Sequence, residues 1–347
     1  MRIAQLATNV ERVPPAGYGG TELVVSMLTE GLVRRGHEVT LFATGDSQTS
    51  ARLVSVTNMP MRPHVLTRNW QAYDIQTLIK MQDMKSEFDV IHNHMGYQAL
   101  PWLDHMDLPN VTTNHNPIKQ YSKPIYLAYK HLPFAAISHS YKNLNMGDVL
   151  NYVDVVYNGI VTEDFIPTAE PKRDYLLFIG RVCRDKGTAD AIEIAERLNL
   201  PLVIAGKVDE ADASYFEEYV RPHMNTDQVK FLGEVTVHQK VELYNGAIAV
   251  VYPVAFEEPF GLVMAESLAS GAPVMAFDRG SVRELLTDGE TAIIGKTTDD
   301  LVNRFGEIEK MSRSGCRKRV QEMFGVSRMI EHYEDVYERL IAEKRRK

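Results

Sequence analysis

"VAFEEPFGLVMAESLASGAPVMAFD", residues 254–278, carries two carboxylates, Glu258 and Glu266, in a run that is otherwise small and apolar. Glu258 stands just before Pro259-Phe260-Gly261, and Glu266 interrupts the apolar stretch that follows. An unpaired buried carboxylate is costly, so a helix core would not choose one. Glu266 therefore faces water or something worth binding. The preceding AIAVVYP reads as a strand. A helix is predicted from near Gly261-Leu262 to near Ser270, with Gly271 as its cap and Pro273 beyond. Glu258 then lies ahead of the helix and Glu266 a turn or more inside it. The N–H groups of Gly261, Leu262 and Val263 are open to an anion.

Outward from this stretch, short apolar runs alternate with amphipathic ones. RIAQLA, HEVTLFA, DVIHNH, NVTTNH, FAAIS and VVYNG read as strands in the first half, and TELVVSMLTEGLVRR as a helix with Gly36 at its C-terminus. In the second half YLLFIG, PLVIAG, VKFLGEV, AIAVVYP and PVMAFD read as strands and TADAIEIAERL as a helix. Strand–helix–strand repetition implies parallel sheets covered on both faces. IPTAEPKRD, residues 166–174, is polar and proline-containing and reads as a linker. The fold class is therefore α/β, in two doubly wound units. The expected domains are 1–166 and 167–327, with a C-terminal segment, 328–347, after them.

With 347 residues and a net charge of −8, the chain suits two ordinary domains and lacks the basic surplus of a nucleic-acid binder. Residues 1–165 hold 13 Lys+Arg against 15 Asp+Glu, so no basic half is hidden in the acidic whole. Two cysteines, Cys183 and Cys316, build no disulfide framework and point to a reducing, cytoplasmic setting. MRIAQLA lacks the plan of a signal peptide, and no run approaches a membrane span. The basic tail EKRRK reads as a solvated helix end, with a membrane-surface contact as the other reading.

Ligands of doubly wound sheets bind beyond the carboxyl ends of the strands. After the first strand, Gly17, Gly19 and Gly20 precede a helix, but Glu22 occupies the sixth place of the dinucleotide fingerprint, which disfavours a nicotinamide dehydrogenase. Gly19-Gly20 at a helix N-terminus reads either as a bare turn or as an anion site. His92-Asn93-His94, His115 and the Ser138-His139-Ser140 run end successive strands. Strand-end solvation accounts for any one of them; several facing one cleft would make a polar acceptor pocket. No third ligand has zinc-like spacing, so no metal is expected there. Arg181 follows the strand YLLFIG, with Lys186 five residues on; a fork and a point charge there can clamp a diphosphate, although a solvated loop would also carry them.

Together these residues resemble the family-4 retaining glycosyltransferases of the GT-B fold. The resemblance runs almost end to end, through GYGGTELVVSMLTEGLVRRGHEVTLFA, FDVIHNH, VVYNGIVTEDF, LLFIGRVCRDKG, LVIAGK and VKFLGEV to EEPFGLVMAESLASGAPVMAF. Glu258 and Glu266, with seven residues between, form its E-x7-E signature. AFDRGSVREL replaces the commoner Gly-Gly form of that loop, and Val161 stands where the family usually has aspartate. The resemblance implies two Rossmann-like domains facing an interdomain cleft, with the C-terminal helix, near 328–343, packing back on the first domain. It implies an acceptor-binding N-terminal domain and a donor-binding second domain. Glu266 would hold the nucleotide ribose and Glu258 the transferred sugar. Arg181 and Lys186 would neutralise the diphosphate, with Gly19, Gly20 and the backbone amides of Phe260, Gly261, Leu262 and Val263. His94 would face the reacting sugar, and His115 joins it as a candidate acceptor contact. No cofactor is implied, the nucleotide sugar being a co-substrate. The expected activity is retaining, metal-independent hexosyl transfer to a soluble acceptor, with UDP-glucose or a related donor. A GT-B sugar-nucleotide epimerase and a non-catalytic nucleotide-sugar binder are the alternatives.

Overall fold

The computed structural model describes residues 1–17, 19–61, 70–168, 172–225 and 228–346. The centre of the 166–174 stretch, residues 169–171, lies outside them. The chain divides into two compact units, Met1–Gly159 with Val326–Lys347, and Ile160–Gly325. The chain thus crosses between units at 159/160 and again at 325/326. Next to these crossings Ile160 N–H donates to Phe324 O at 2.9 Å.

The first unit contains β1 (Arg2–Leu6), β2 (Glu38–Phe42), β3 (Arg52–Val54), β4 (Val90–Asn93), β5 (Asn110–Thr113), β6 (Phe134–Ala136) and β7 (Tyr152–Val155). They form one parallel sheet in the order β3-β2-β1-β4-β5-β6-β7. The second unit contains β8 (Tyr175–Ile179), β9 (Leu202–Ala205), β10 (Val229–Phe231), β11 (Ala247–Tyr252), β12 (Val274–Phe277) and β13 (Ala292–Gly295). Its parallel order is β10-β9-β8-β11-β12-β13. Each order reverses direction once, between β1 and β4 and between β8 and β11. Crevices for ligands open at such reversals.

The apolar runs form strands because both sheet faces are covered: β4, β8 and β11 have no exposed residue, and β1 has one, Arg2. One strand lies earlier than expected. VVYNG is not the last strand of the first sheet; β7 precedes it at Tyr152–Val155, and Asn158-Gly159 lead to the crossing. β3 and β13 were not foreseen.

The final helix, Val326–Arg346, is longer than the expected 328–343 and belongs to the first unit. Its buried Met329, Ile330, Tyr333, Val336, Tyr337 and Leu340 recur at three- and four-residue spacing, one apolar stripe. Burial of each contributes about 1.5–3 kcal/mol. Where it crosses the helix Gly20–Arg34, a Cβ on Gly31 would stand 2.0 Å from Ile330 Cδ1, so any larger residue there would push the Ile330 side chain aside. Glu334 is bonded to His37 at 2.7 Å and to Arg35 at 2.9 Å, and Arg339 to Asp154 at 2.5 Å.

Candidate active site

In the second unit the predicted residues gather at the β8/β11 reversal. β8 runs out at Ile179, and the loop to the helix Thr188–Leu198 carries Arg181 and Lys186. Gly187 closes this loop at φ 72°, and a Cβ there would lie 2.0 Å from Pro253 O. That close approach, with Ala255 N–H donating to Asp185 O at 2.8 Å, brings the loop against the end of β11. Lys186 Nζ consequently donates to Glu258 Oε2 at 2.9 Å, and the Tyr252 hydroxyl donates to the same oxygen at 2.5 Å. Glu258 Oε1 takes no hydrogen bond from the described residues. The Lys186 ammonium also lies 4.6 Å from the Phe256 ring centre. Glu258 is 8% exposed. Such a buried pair stays favourable only while both partners are present.

Arg181 is not a bare cation. Its guanidinium lies 3.6 Å from both Asp209 and Asp212 in the segment after β9. Burial alone would raise Asp209, but the Lys207 bond at 2.6 Å and the charges of Lys207 and Arg181 hold it below the usual carboxylate range.

The helix Leu262–Ala269 starts from Gly261, whose φ of 87° turns the chain out of the loop. Leu262 and Val263 stand in its first turn, where N–H groups have no intrahelical acceptor. Phe260 is different: its side chain is buried, edge-on to Phe324 at 5.8 Å, so only its backbone can serve a ligand. Glu266 faces neither open water nor empty space. Its side chain is buried, the Tyr244 hydroxyl donates to Oε2 at 2.7 Å, and Lys240 Nζ reaches both oxygens at 3.3 Å. Burial and then the Glu266 charge push the Tyr244 phenol well above its ordinary value, so it remains a donor. Lys240 and Tyr244, missed in the sequence, sit at i, i+4 on the helix Val237–Gly246.

In the first unit the candidates lie at the β1/β4 reversal. Gly19 caps the helix Gly20–Arg34 without a side-chain bond, and Glu22 places a carboxylate in that first turn. His94 follows β4 and is 5% exposed. Both of its ring nitrogens are engaged: Nδ1 with His115 Nε2 at 3.0 Å, and Nε2 with Gln5 Oε1 at 2.9 Å. His115 is half-buried and stacks on His94 at 5.2 Å. Burial pushes His94 well below the ordinary histidine value and His115 down to about 4, so both rings are neutral. The more exposed ring of the pair is His115. The described residues contain no group of three or more His, Cys, Asp or Glu placed to hold a metal ion.

Residues 161–323 match the model for glycosyl transferases group 1, and residues 18–164 match that for glycosyltransferase family 4. An uncharacterized glycosyltransferase of Methanocaldococcus jannaschii is 30% identical over 318 residues, covering 79% of this chain and 80% of that protein. The chain belongs to the family-4 glycosyltransferases. Two solved structures share the fold of this glycosyltransferase. Sucrose-phosphate synthase from Thermosynechococcus elongatus is 19% identical, covers 99% of both chains and has a TM-score of 0.78. The Anabaena protein HepE in complex with UDP-glucose is 17% identical, covers 99% of this chain and 100% of that one, and has a TM-score of 0.76. The two doubly wound units are those of the GT-B fold. No helix among the described residues is long and apolar enough to cross a membrane.

Proposed function

We propose that this glycosyltransferase moves a hexosyl group from a nucleoside-diphosphate sugar, UDP-glucose or a close relative, to a soluble small-molecule acceptor, with retention at the anomeric carbon and without metal or cofactor. The arrangement around Glu258 carries the reading. One carboxylate oxygen is held by Lys186 and Tyr252, and the other is left for a sugar hydroxyl. In this reading Glu266, oriented by Tyr244 and Lys240, accepts the ribose hydroxyls. Arg181 and Lys186 face the diphosphate, and the first-turn amides of Leu262 and Val263 add donors. Within the first unit, Gly19 and Gly20 open the helix Gly20–Arg34 with amides suited to an anion, and His94 and His115 belong to the acceptor side. UDP-glucose is favoured because the HepE structure contains it. The buried, unbridged Cys183 and Cys316 suit a reducing cytoplasm.

The bond from the anomeric carbon to the phosphate oxygen breaks, and positive charge develops on that carbon. The acceptor oxygen attacks from the same face, and its proton passes to the departing phosphate. The products are the glycoside and the nucleoside diphosphate. Fixed cations and helix N-terminal amides stabilise the charge that grows on the leaving group, the work a metal does elsewhere. Removing one such contact typically costs about 3–4 kcal/mol, or roughly 10²–10³ in rate.

The test is nucleoside diphosphate release from UDP-, ADP- and GDP-sugars against a panel of sugar and polyol acceptors in EDTA, with the product anomer read by NMR. Acceptor-dependent release and an unchanged anomeric configuration support the reading. Activity abolished by EDTA and restored by Mg²⁺ or Mn²⁺, with Arg181→Ala still active, refutes it. Sugar isomerisation without an acceptor would mark an epimerase, and binding without turnover a sensor.

A further inference from the structure

The histidines at the ends of β4 and β5 belong to a longer buried chain of hydrogen bonds that reaches the C-terminal helix. His115 Nε2 meets His94 Nδ1 at 3.0 Å, and His94 Nε2 meets Gln5 Oε1 at 2.9 Å. Gln5 Nε2 donates to the Tyr337 hydroxyl oxygen at 3.1 Å. That hydroxyl meets His92 Nδ1 at 2.6 Å, and His92 Nε2 meets Thr113 Oγ1 at 2.8 Å. Thr113 Oγ1 lies 3.0 Å from the Tyr333 hydroxyl. Gln5, His92, Tyr333 and Tyr337 are at most 1% exposed.

The chemistry of the partners orders the protons along this chain. An amide oxygen only accepts, so His94 Nε2 carries the proton. A neutral imidazole has a single N–H, so His94 Nδ1 is a lone pair and must accept from His115 Nε2–H. His115, neutral in turn, is left with a lone pair on Nδ1, which takes no hydrogen bond from the described residues. At the far end the Tyr337 hydroxyl accepts from the Gln5 amide, which leaves His92 Nδ1 as the acceptor for its own O–H among the described residues. That direction keeps the Gln5 oxygen turned to His94. The helix carrying Tyr337 is itself fixed by the Gly31–Ile330 contact and the Glu334 ion pairs.

We propose that Tyr337 and Gln5 are positioning residues that hold His94 as its Nε2–H tautomer and thereby fix His115 as a hydrogen-bond acceptor, its Nδ1 lone pair presented to a substrate hydroxyl. The proposal rests on the reading above that this end of the first unit takes the reacting sugars. It adds the polarity of the contact: His115 accepts a hydrogen bond from the hydroxyl it binds and cannot donate one through the same nitrogen. Burial, the main cause of the depressed basicity of all three histidines, keeps the order intact at neutral pH.

The experiment is long-range ¹H–¹⁵N correlation NMR on the full chain labelled at histidine, at pH 7, without ligand. His94 and His115 are both expected protonated on Nε2. Tyr337→Phe, which keeps the ring, and Gln5→Met, which keeps the volume, should each admit the Nδ1–H form at both histidines. Thermal melts of the variants identify any loss of folding. Protonation of His94 or His115 on Nδ1 in the native protein overturns the proposal, as do unchanged tautomers in both folded variants. With UDP-glucose as the probe, each variant should lose at least tenfold in kcat while donor KM stays within twofold. His115→Gln, which keeps an acceptor, should outperform His115→Leu. Tautomers that shift without any change in turnover would uphold the proton order and refute the reading of this face as substrate-binding.

Discussion

Lowering the pH from 7.5 to 5 should weaken the first unit far more than the second. His92, His94 and His115 are held neutral, chiefly by burial, with basicity below the ordinary histidine value. Between about pH 6.5 and pH 4 the unfolded chain binds protons that the folded unit refuses, so stability is full above that window and falls as the pH drops through it. At pH 5 each imidazole kept neutral costs about 2 kcal/mol, or about 6 kcal/mol for the three. Asp74 acts in the opposite sense. Its Oδ1 accepts from Asn9 Nδ2 at 3.0 Å, its Oδ2 is buried without a partner among the described residues, and burial raises its pKa to about 6. The folded unit takes up a proton there that the unfolded chain refuses, which returns about 1 kcal/mol over the same interval. The net loss of about 5 kcal/mol compares with a total stability of roughly 5–15 kcal/mol for a typical domain. Both tryptophans, Trp70 and Trp102, lie in the first unit, so intrinsic fluorescence reports its unfolding. At an m value of roughly 2 kcal/mol/M, the urea midpoint followed by fluorescence should fall by about 2.5 M. A midpoint that stays within about 0.5 M, or rises, would refute the claim that these rings are held neutral.

Glu266→Ala should weaken binding of free UDP, whereas Glu258→Gln should leave it nearly intact and impair turnover; equal losses of nucleotide affinity in both, by calorimetry, would sink the division of roles. Gly31→Ala should destabilise the first unit by about 1–3 kcal/mol through the clash with Ile330 Cδ1, and Ile330→Val should recover part of that loss in the double variant, read by the same urea titration. Arg181→Ala and Lys186→Ala should each lower turnover by roughly 10²–10³ while EDTA changes it little.

The strands were legible where parallel pairing buries both faces, as in AIAVVY and YLLFI, because the whole run must then be apolar. β3 escaped notice because it is three residues long at the sheet edge, led by the exposed Arg52. β7 was displaced in the reading because its Tyr152–Val155 are all half-buried, while the more apolar pair Val155-Val156 lies at its end. Charged site residues stood out for a simple reason: Arg181, Lys186, Glu258 and Glu266 interrupt apolar or glycine-rich runs. Their partners did not. Tyr244 and Lys240 reach Glu266 only once two helices pack, and Gln5 meets Tyr337 across 332 positions of sequence. Nothing local encodes such contacts. The same holds for His94, whose strand-end position suggested an open ring and whose neighbours instead engage both nitrogens.

Calorimetric titration of UDP-glucose, with ADP- and GDP-glucose as alternatives, into the native protein in EDTA bears most directly on a donor site built from side-chain cations and two carboxylates. At least one of the three should bind without added metal, and Glu266→Ala should weaken that binding at least tenfold. Binding that appears only after Mg²⁺ or Mn²⁺ is added, or that Glu266→Ala leaves unchanged, would contradict it.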